Sequence, residues 1–280
     1  MRLTSFDTGH HESWGTVDGE HIFDLGALAG HRLLAEVLAD TTLEALVSRK
    51  SEADVYERAH VQLLPPVTDR SKILCVGLNY ADHIAEMKRA TPTHPVVFTR
   101  FADSFVGDGA ALIAPRNSTS FDYEGEFCIV IGKTARHVAP NEALRHIFGY
   151  TIMNDGSVRD YQRHTHQFAP GKNFPRSGAI GPGIVTTDEF GPVADQRIHT
   201  RVNGVVVQES SLNQLVFDVA HLIAYCSEWT VLRPGDVIAT GTPGGVGDGR
   251  DPALWLFPGD VVEISVDGIG TLQNSVAEEE

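Results

Sequence analysis

The chain has 280 residues, 37 acidic and 22 basic, for a formal net charge of −15. That length suits one large domain with a sizeable core, alone or with a small appendage. The charge argues against nucleic acid or an anionic membrane surface as partner, because both demand basic patches.

Residues 1–66 read as a small N-terminal appendage. Strand-like pieces at Leu3–Phe6 and His21–Leu25 precede helical patterns around His31–Ala39 and Thr42–His60. The run LLPPVTDRSK, with Pro65 and Pro66, reads as a linker. The appendage holds no constellation suited to chemistry, so packing or oligomerisation is its expected role. Its opening run, MRLTSFDTGHHESWG, has no apolar signal region, and no stretch approaches a membrane span. A cytoplasmic location is therefore the expectation. Cys75, Cys128 and Cys226 are odd in number, far apart and set in apolar context. They read as buried thiols, not as a disulfide framework or a metal site.

Residues 67–280 form the second unit, strand-rich from Ile73 onward, and hold the candidates for chemistry. Ile73–Val76 should be a strand, followed by a helix over Asn79–Met87 and the loop KRATPTHP at 88–95. His83 and Glu86, three apart, would share a face of that helix. A carboxylate beside an imidazole can orient it as a general base, although the pair alone also fits an ordinary surface helix. Val96–Thr99, Phe127–Ile131, Tyr150–Met153 and Gly183–Thr187 are the next expected strands, with short helices at Asn141–His146 and Val216–Ser227 and a turn after Asn154. Ile198–Gln208 should be a hairpin turning at Asn203-Gly204. Two Pro-Gly-Asp turns lead into Val237-Ile238 and Val261–Val266. No strand–helix alternation of the doubly wound kind occurs, so a mainly β (α+β) core of mixed pairing with peripheral helices is expected.

Glu124 and Glu126 are two apart at the head of an apolar strand and would project to one side. Buried there, they require a cation or hydrogen bonds. On spacing alone they could equally be solvated residues at a strand end. Asp155, closing the apolar run GYTIMN, would complete an all-oxygen site for Mg²⁺ or Mn²⁺. Lys172, in PGKNF, is either solvated or a point charge for an oxyanion. The turn ATGTPGGVG (239–247) lacks the Lys-Ser/Thr of a nucleotide loop. Its Thr240 and Thr242 hydroxyls and its free N–H groups suit a carboxylate, and the same run also fits a tight connection after the strand Val237–Ala239. His164 and His166 lack a helical metal-binding pair and a companion acid motif.

Five ordered runs together resemble the fumarylacetoacetate hydrolase family across roughly residues 70–276. They are ILCVGLNYADHIAEM (73–87), FDYEGEFCIVIGK (121–133), TIMNDGSVRD (151–160), PGKNF (170–174) and IATGTPGGVG (238–247). The likeness is to its acylpyruvase and 2-hydroxyhepta-2,4-diene-1,7-dioate isomerase-like branch. It implies a mixed β-roll, a homodimer and a divalent ion on Glu124, Glu126 and Asp155. It further implies a catalytic set of His83, Glu86 and Lys172, with the dyad on a segment that orders over the substrate. Substrate contacts would come from Gly241, Thr242 and Arg159, the last matching N-D-x-x-x-R-D. An ion pair between Arg159 and Asp160 or another acid remains open. Arg100 stands where the family prefers Lys.

The reaction implied is hydrolysis of a C–C bond in an acylpyruvate or related 2,4-diketo acid, giving a carboxylic acid and pyruvate enolate. Oxaloacetate decarboxylation and 2-oxo-dioate tautomerisation use the same enolate and stay open. A sugar-acid dehydratase or aldolase, and a non-catalytic metal-binding scaffold, are the more distant alternatives.

Overall fold

The computed structural model describes residues 1–40, 42–67, 71–86 and 90–280. Residues 68–70 of the expected linker, Met87 of the expected helix, and Lys88 and Arg89 of its flanking loop lie outside them.

The strand Gly125–Ile131 organises the molecule. All seven of its residues are buried, as an unbroken apolar run covered on both faces requires. Phe127, Ile129 and Ile131 enter one apolar cluster, whereas Cys128 and Val130 enter the other. The strand runs antiparallel to Ile147–Asn154 on one side and to Val237–Ala239 on the other. Val237–Ala239 is parallel to Ile73–Gly77, which pairs with Val96–Arg100. These strands belong to a twelve-stranded sheet among the described residues.

Across the Phe127 face lies a five-stranded sheet that includes the hairpin Arg197–Val202 and Val205–Ser211, followed by Val261–Val266 and Gly270–Glu278. Ile198, Val202, Ile264 and Leu272 share the cluster of Phe127. The hairpin turns with φ of 51° at Asn203 and 79° at Gly204, the left-handed pair that the Asn-Gly sequence favours. The helix Val219–Trp229 starts three residues later than expected, because the Asp218 carboxylate caps it by accepting the His221 N–H. It buries Val219, Leu222, Ile223 and Cys226 at helical spacing.

Residues 1–66 cover the opposite face. Leu3, Trp14, Leu25, Leu34 and Val37 pack in one cluster with Cys75, Cys128, Val130 and Met153. Arg2–Asp7 extends the large sheet, with Leu3 pairing Ile184 of the strand Gly178–Thr186. One expectation fails here. The helix begun at Thr42 ends at Ser48, and Val55–Glu57 is an edge strand on His21–Asp24. Val55 and Tyr56 are residue types that favour a pleated, half-buried surface over a helix.

These pairings bring four chain ends to one rim: the start of Gly125–Ile131 and the ends of Ile147–Asn154, Ile73–Gly77 and Val237–Ala239.

Candidate active site

Carboxylate oxygens of Glu124, Glu126 and Asp155 lie within 4.8 Å of one another at that rim, and all three residues are buried. Glu126 is on the same face of its strand as Cys128, away from the second sheet. Backbone pairing locks the other two acids together: the Asp155 N–H donates to the Glu124 carbonyl at 2.9 Å, and the Glu124 N–H donates to Asn154 Oδ1 at 3.2 Å. Gly125 is required by the sheet above it. A Cβ there would stand 2.2 Å from Thr200 Oγ1, and its N–H donates to Gln208 Oε1 at 3.0 Å.

Three buried cations surround the acids. Lys172 Nζ is 2.8 Å from Glu124 Oε2 and 2.6 Å from Asp155 Oδ2. Arg159 lies 2.6 Å from Glu124 Oε1 and 2.7 Å from Asp122 Oδ2. Arg100 reaches Asp155 Oδ1 at 2.8 Å. Burial pushes the Glu124 carboxyl upward, but Lys172 and Arg159 outweigh it and hold it down at about 2. Burial likewise disfavours the Lys172 ammonium, yet Asp155 and Glu124 prevail and its pKa is raised.

Glu126 has no such cation. Among the described residues its carboxylate accepts only the Gly241 N–H, at 2.9 Å. Burial, then Asp155 and Glu124, push its pKa well above the ordinary value. Four carboxylates, counting Asp122, thus meet three cations, with the deficit at Glu126. An all-oxygen donor set with an uncompensated buried charge fits a hard divalent ion such as Mg²⁺ or Mn²⁺. Lys172→Met should strip Glu124 and Asp155 of their shared counter-charge. It is expected to destabilise the ion-free protein by roughly 3–5 kcal/mol and the protein in saturating Mn²⁺ by clearly less. Chemical denaturation with and without Mn²⁺ measures both.

His83 and Glu86 occupy the short helix Ala81–Glu86, which leaves the strand Ile73–Gly77 through Leu78 in a left-handed conformation, φ 56°. Such a conformation is strained for leucine. His83 Nδ1 is 3.3 Å from Glu86 Oε2. A proton on Nδ1, shared with Glu86, leaves Nε2 free to accept one. Burial raises the Glu86 carboxyl, but the hydrogen bond from His83 and the Gly245 N–H bring it below its ordinary value. His83, Glu124, Glu126, Arg159, Lys172 and Thr242 all line one cavity of about 380 Å³. A second hollow of about 430 Å³, beside Trp14 and Pro66, gathers none of these groups.

The residues expected to contact substrate are all at this cavity or behind it, with their polar atoms already engaged. Arg159 is bound to Asp122 and Glu124, which is the ion pair with another acid that its sequence left open. The Gly241 N–H serves Glu126. The Thr242 hydroxyl donates to the Gly125 carbonyl at 3.0 Å and accepts from Gln208 Nε2 at 2.8 Å. Thr240 donates to the Phe127 carbonyl. The turn thus braces the acid-bearing strand. His166 is exposed on the cavity wall, whereas the exposed His164 lies tilted against the Tyr161 ring.

Two supporting residues escaped the sequence reading. Asp122 anchors Arg159 and accepts the Gly247 and Asp248 N–H groups. Its position two before Glu124 was an available signal. Arg100, noted only as a departure from Lys, holds the Oδ1 of Asp155.

The chain belongs to the fumarylacetoacetate hydrolase family: residues 72–277 match the model described as fumarylacetoacetate (FAA) hydrolase C-terminal. Its fold is that family's α+β roll. It is 37% identical over 287 residues to the oxaloacetate tautomerase fahd2, mitochondrial, of Xenopus laevis, covering 99% of this chain and 90% of the relative. Identity is 40% over 253 residues to the 2,4-didehydro-3-deoxy-L-rhamnonate hydrolase of Sphingomonas sp. (strain SKA58), covering 88% of each. Maleylpyruvate hydrolase from Sphingobium sp. SYK-6, solved with manganese(II) and pyruvate, superposes with a TM-score of 0.83 over the whole of both chains at 27% identity. Members of the family are enzymes, and the named relatives act on 2-oxo acids. No helix among the described residues is long and apolar enough to cross a membrane.

Proposed function

We propose that the protein hydrolyses a C–C bond in an acylpyruvate or related 2,4-diketo acid. The observation that carries this reading is that His83, paired with Glu86, lines the same cavity as Glu124 and Glu126 of the three-carboxylate cluster. Glu124, Glu126 and Asp155 would hold the ion, Mg²⁺ or Mn²⁺. When bound, it supplies Lewis-acid stabilisation of the negative charge developing at the 2-oxo end of the substrate. Lys172, buried between Glu124 and Asp155, keeps a positive charge beside that end. His83, oriented by Glu86, takes a proton from water, and the hydroxide adds to the distal carbonyl carbon. The C–C bond then breaks with its electron pair moving to the pyruvate half. A carboxylic acid and pyruvate enolate result, and the enolate takes up a proton to give pyruvate.

The likeness to a hydrolase of a 2,4-didehydro sugar acid and to a maleylpyruvate hydrolase supports this reading. The likeness to an oxaloacetate tautomerase supports a second one, in which His83 moves a proton between carbon and oxygen of oxaloacetate. Pyruvate release over a panel of 2,4-diketo acids with Mg²⁺ or Mn²⁺, beside tautomerisation and decarboxylation of oxaloacetate, decides between them. Hydrolysis is expected to show the higher kcat/KM. Faster turnover of oxaloacetate would reverse the order.

A further inference from the structure

Glu86 is held from outside its own helix. Both of its carboxylate oxygens accept one donor, the Gly245 N–H, at 3.1 Å each. That donor is itself fixed. Gly245 has φ +100°, and a Cβ there would stand 2.1 Å from the Val207 carbonyl. Its carbonyl accepts from Tyr123 Oη at 3.0 Å and from Arg250 Nε at 3.2 Å. The same turn gives its Gly241 N–H to Glu126 and its Gly247 N–H to Asp122.

Gly249 adds a steric element. A Cβ at this position would lie 2.6 Å from Glu86 Cδ, 2.8 Å from Oε1 and 2.9 Å from Cγ, which are its three nearest atoms. Its backbone is outside the left-handed region that favours glycine, so backbone conformation does not demand glycine here. Space for the Glu86 carboxylate does.

We propose that Gly249 is a positioning residue. By leaving room for Glu86 under the Gly245 N–H, it seats the dyad helix on the turn that also braces Glu126. The spacing between the base and the carboxylate cluster is then set by a single loop. This inference rests on the reading of His83 and Glu86 as the base and its orienter.

The test is a double-mutant cycle of Gly249→Ala and Glu86→Ala. It measures acetylpyruvate hydrolysis with Mn²⁺, Mn²⁺ affinity by calorimetry, and thermal unfolding. Each single variant is expected to lose roughly tenfold in kcat, with KM and Mn²⁺ affinity within about twofold of wild type. In the Glu86→Ala background, where the crowded carboxylate is gone, Gly249→Ala should cost less than about twofold further. That double variant also restores the space, so it should fold even if Gly249→Ala alone does not. Losses that multiply, a full-activity Gly249→Ala beside an impaired Glu86→Ala, or a double variant that cannot fold each overturn the seat alone. Wild-type turnover in Glu86→Ala would instead bring down the dyad reading, and the seat with it.

Discussion

Glu126→Ala is expected to leave a folded protein that neither binds Mg²⁺ or Mn²⁺ measurably nor turns over substrate. Glu124 and Asp155 already carry Lys172, Arg159 and Arg100, so they alone present little uncompensated charge to a divalent ion. Glu126 supplies that charge, and losing it removes the principal attraction for the ion. The isosteric Glu126→Gln separates this effect from packing. It relieves repulsion among three buried carboxylates and should raise the ion-free Tm by roughly 2–4 °C, about 1 kcal/mol for a chain of this size. The pH dependence has a definite sign. The folded pKa of Glu126 is raised above the ordinary 4.5. Its contribution to ion-free stability is therefore fully present below that value and is lost as pH rises through the folded pKa. Ion affinity runs the other way, increasing with pH as Glu126 releases its proton. Calorimetry at several pH values and thermal melts of both variants measure these effects. Near-normal turnover of Glu126→Ala with Mg²⁺ would mean the ion sits elsewhere.

His83→Ala should leave Mn²⁺ affinity nearly unchanged and reduce hydrolysis by roughly 10²–10⁴-fold, the range for a general base. The imidazole bonds to Glu86 and to none of the three clustered carboxylates, so the variant separates water activation from ion binding. Decarboxylation of oxaloacetate has no water to activate and should fall much less. Both rates are read in wild type and His83→Ala with the same metal. Equal depression of the two would make the dyad a general proton shuttle or a lid anchor. Loss of Mn²⁺ binding would make His83 a ligand.

The parts of the molecule legible in the sequence are those whose signal is local. Gly125–Ile131 stands out because burial on both faces demands an uninterrupted apolar run, and Asn203-Gly204 because the turn needs two left-handed residues. Gly270–Glu278 was missed since a buried Asn274 interrupts its inward face, where the side chain serves the Gly107 and Ala110 carbonyls. Glu12–Asp18 was missed because Glu12, Ser13 and Gly15 break the strand pattern. At the site, spacing left the three acids, the dyad and Lys172 open, and it was the resemblance carried by five ordered motifs that singled them out. Apart from Ser104, the partners of Arg100 are Asp155, Gly156 and Ser177, 55 to 77 positions away, and no local pattern marks such a contact. The glycine-rich turn offered donors without targets. Only the folded chain directs them to Glu126, Glu86 and Asp122.

The pairing of Leu3 with Ile184 has a consequence for how the molecule is made. Phe6 can pack early against Ile22 and Leu63, but Leu3 packs with Ile180 and Ile184, whose strand Gly178–Thr186 is synthesised more than 170 residues later. Pairings this distant close slowly because a long loop must be ordered first. Arg2–Asp7 can pair early with Glu12–Asp18 and Gln62–Leu64, but until Gly178–Thr186 arrives its Arg2-Leu3 end is an open edge available to other nascent chains. The yield of native protein should therefore depend on translation speed and chaperone supply more than its final stability would suggest.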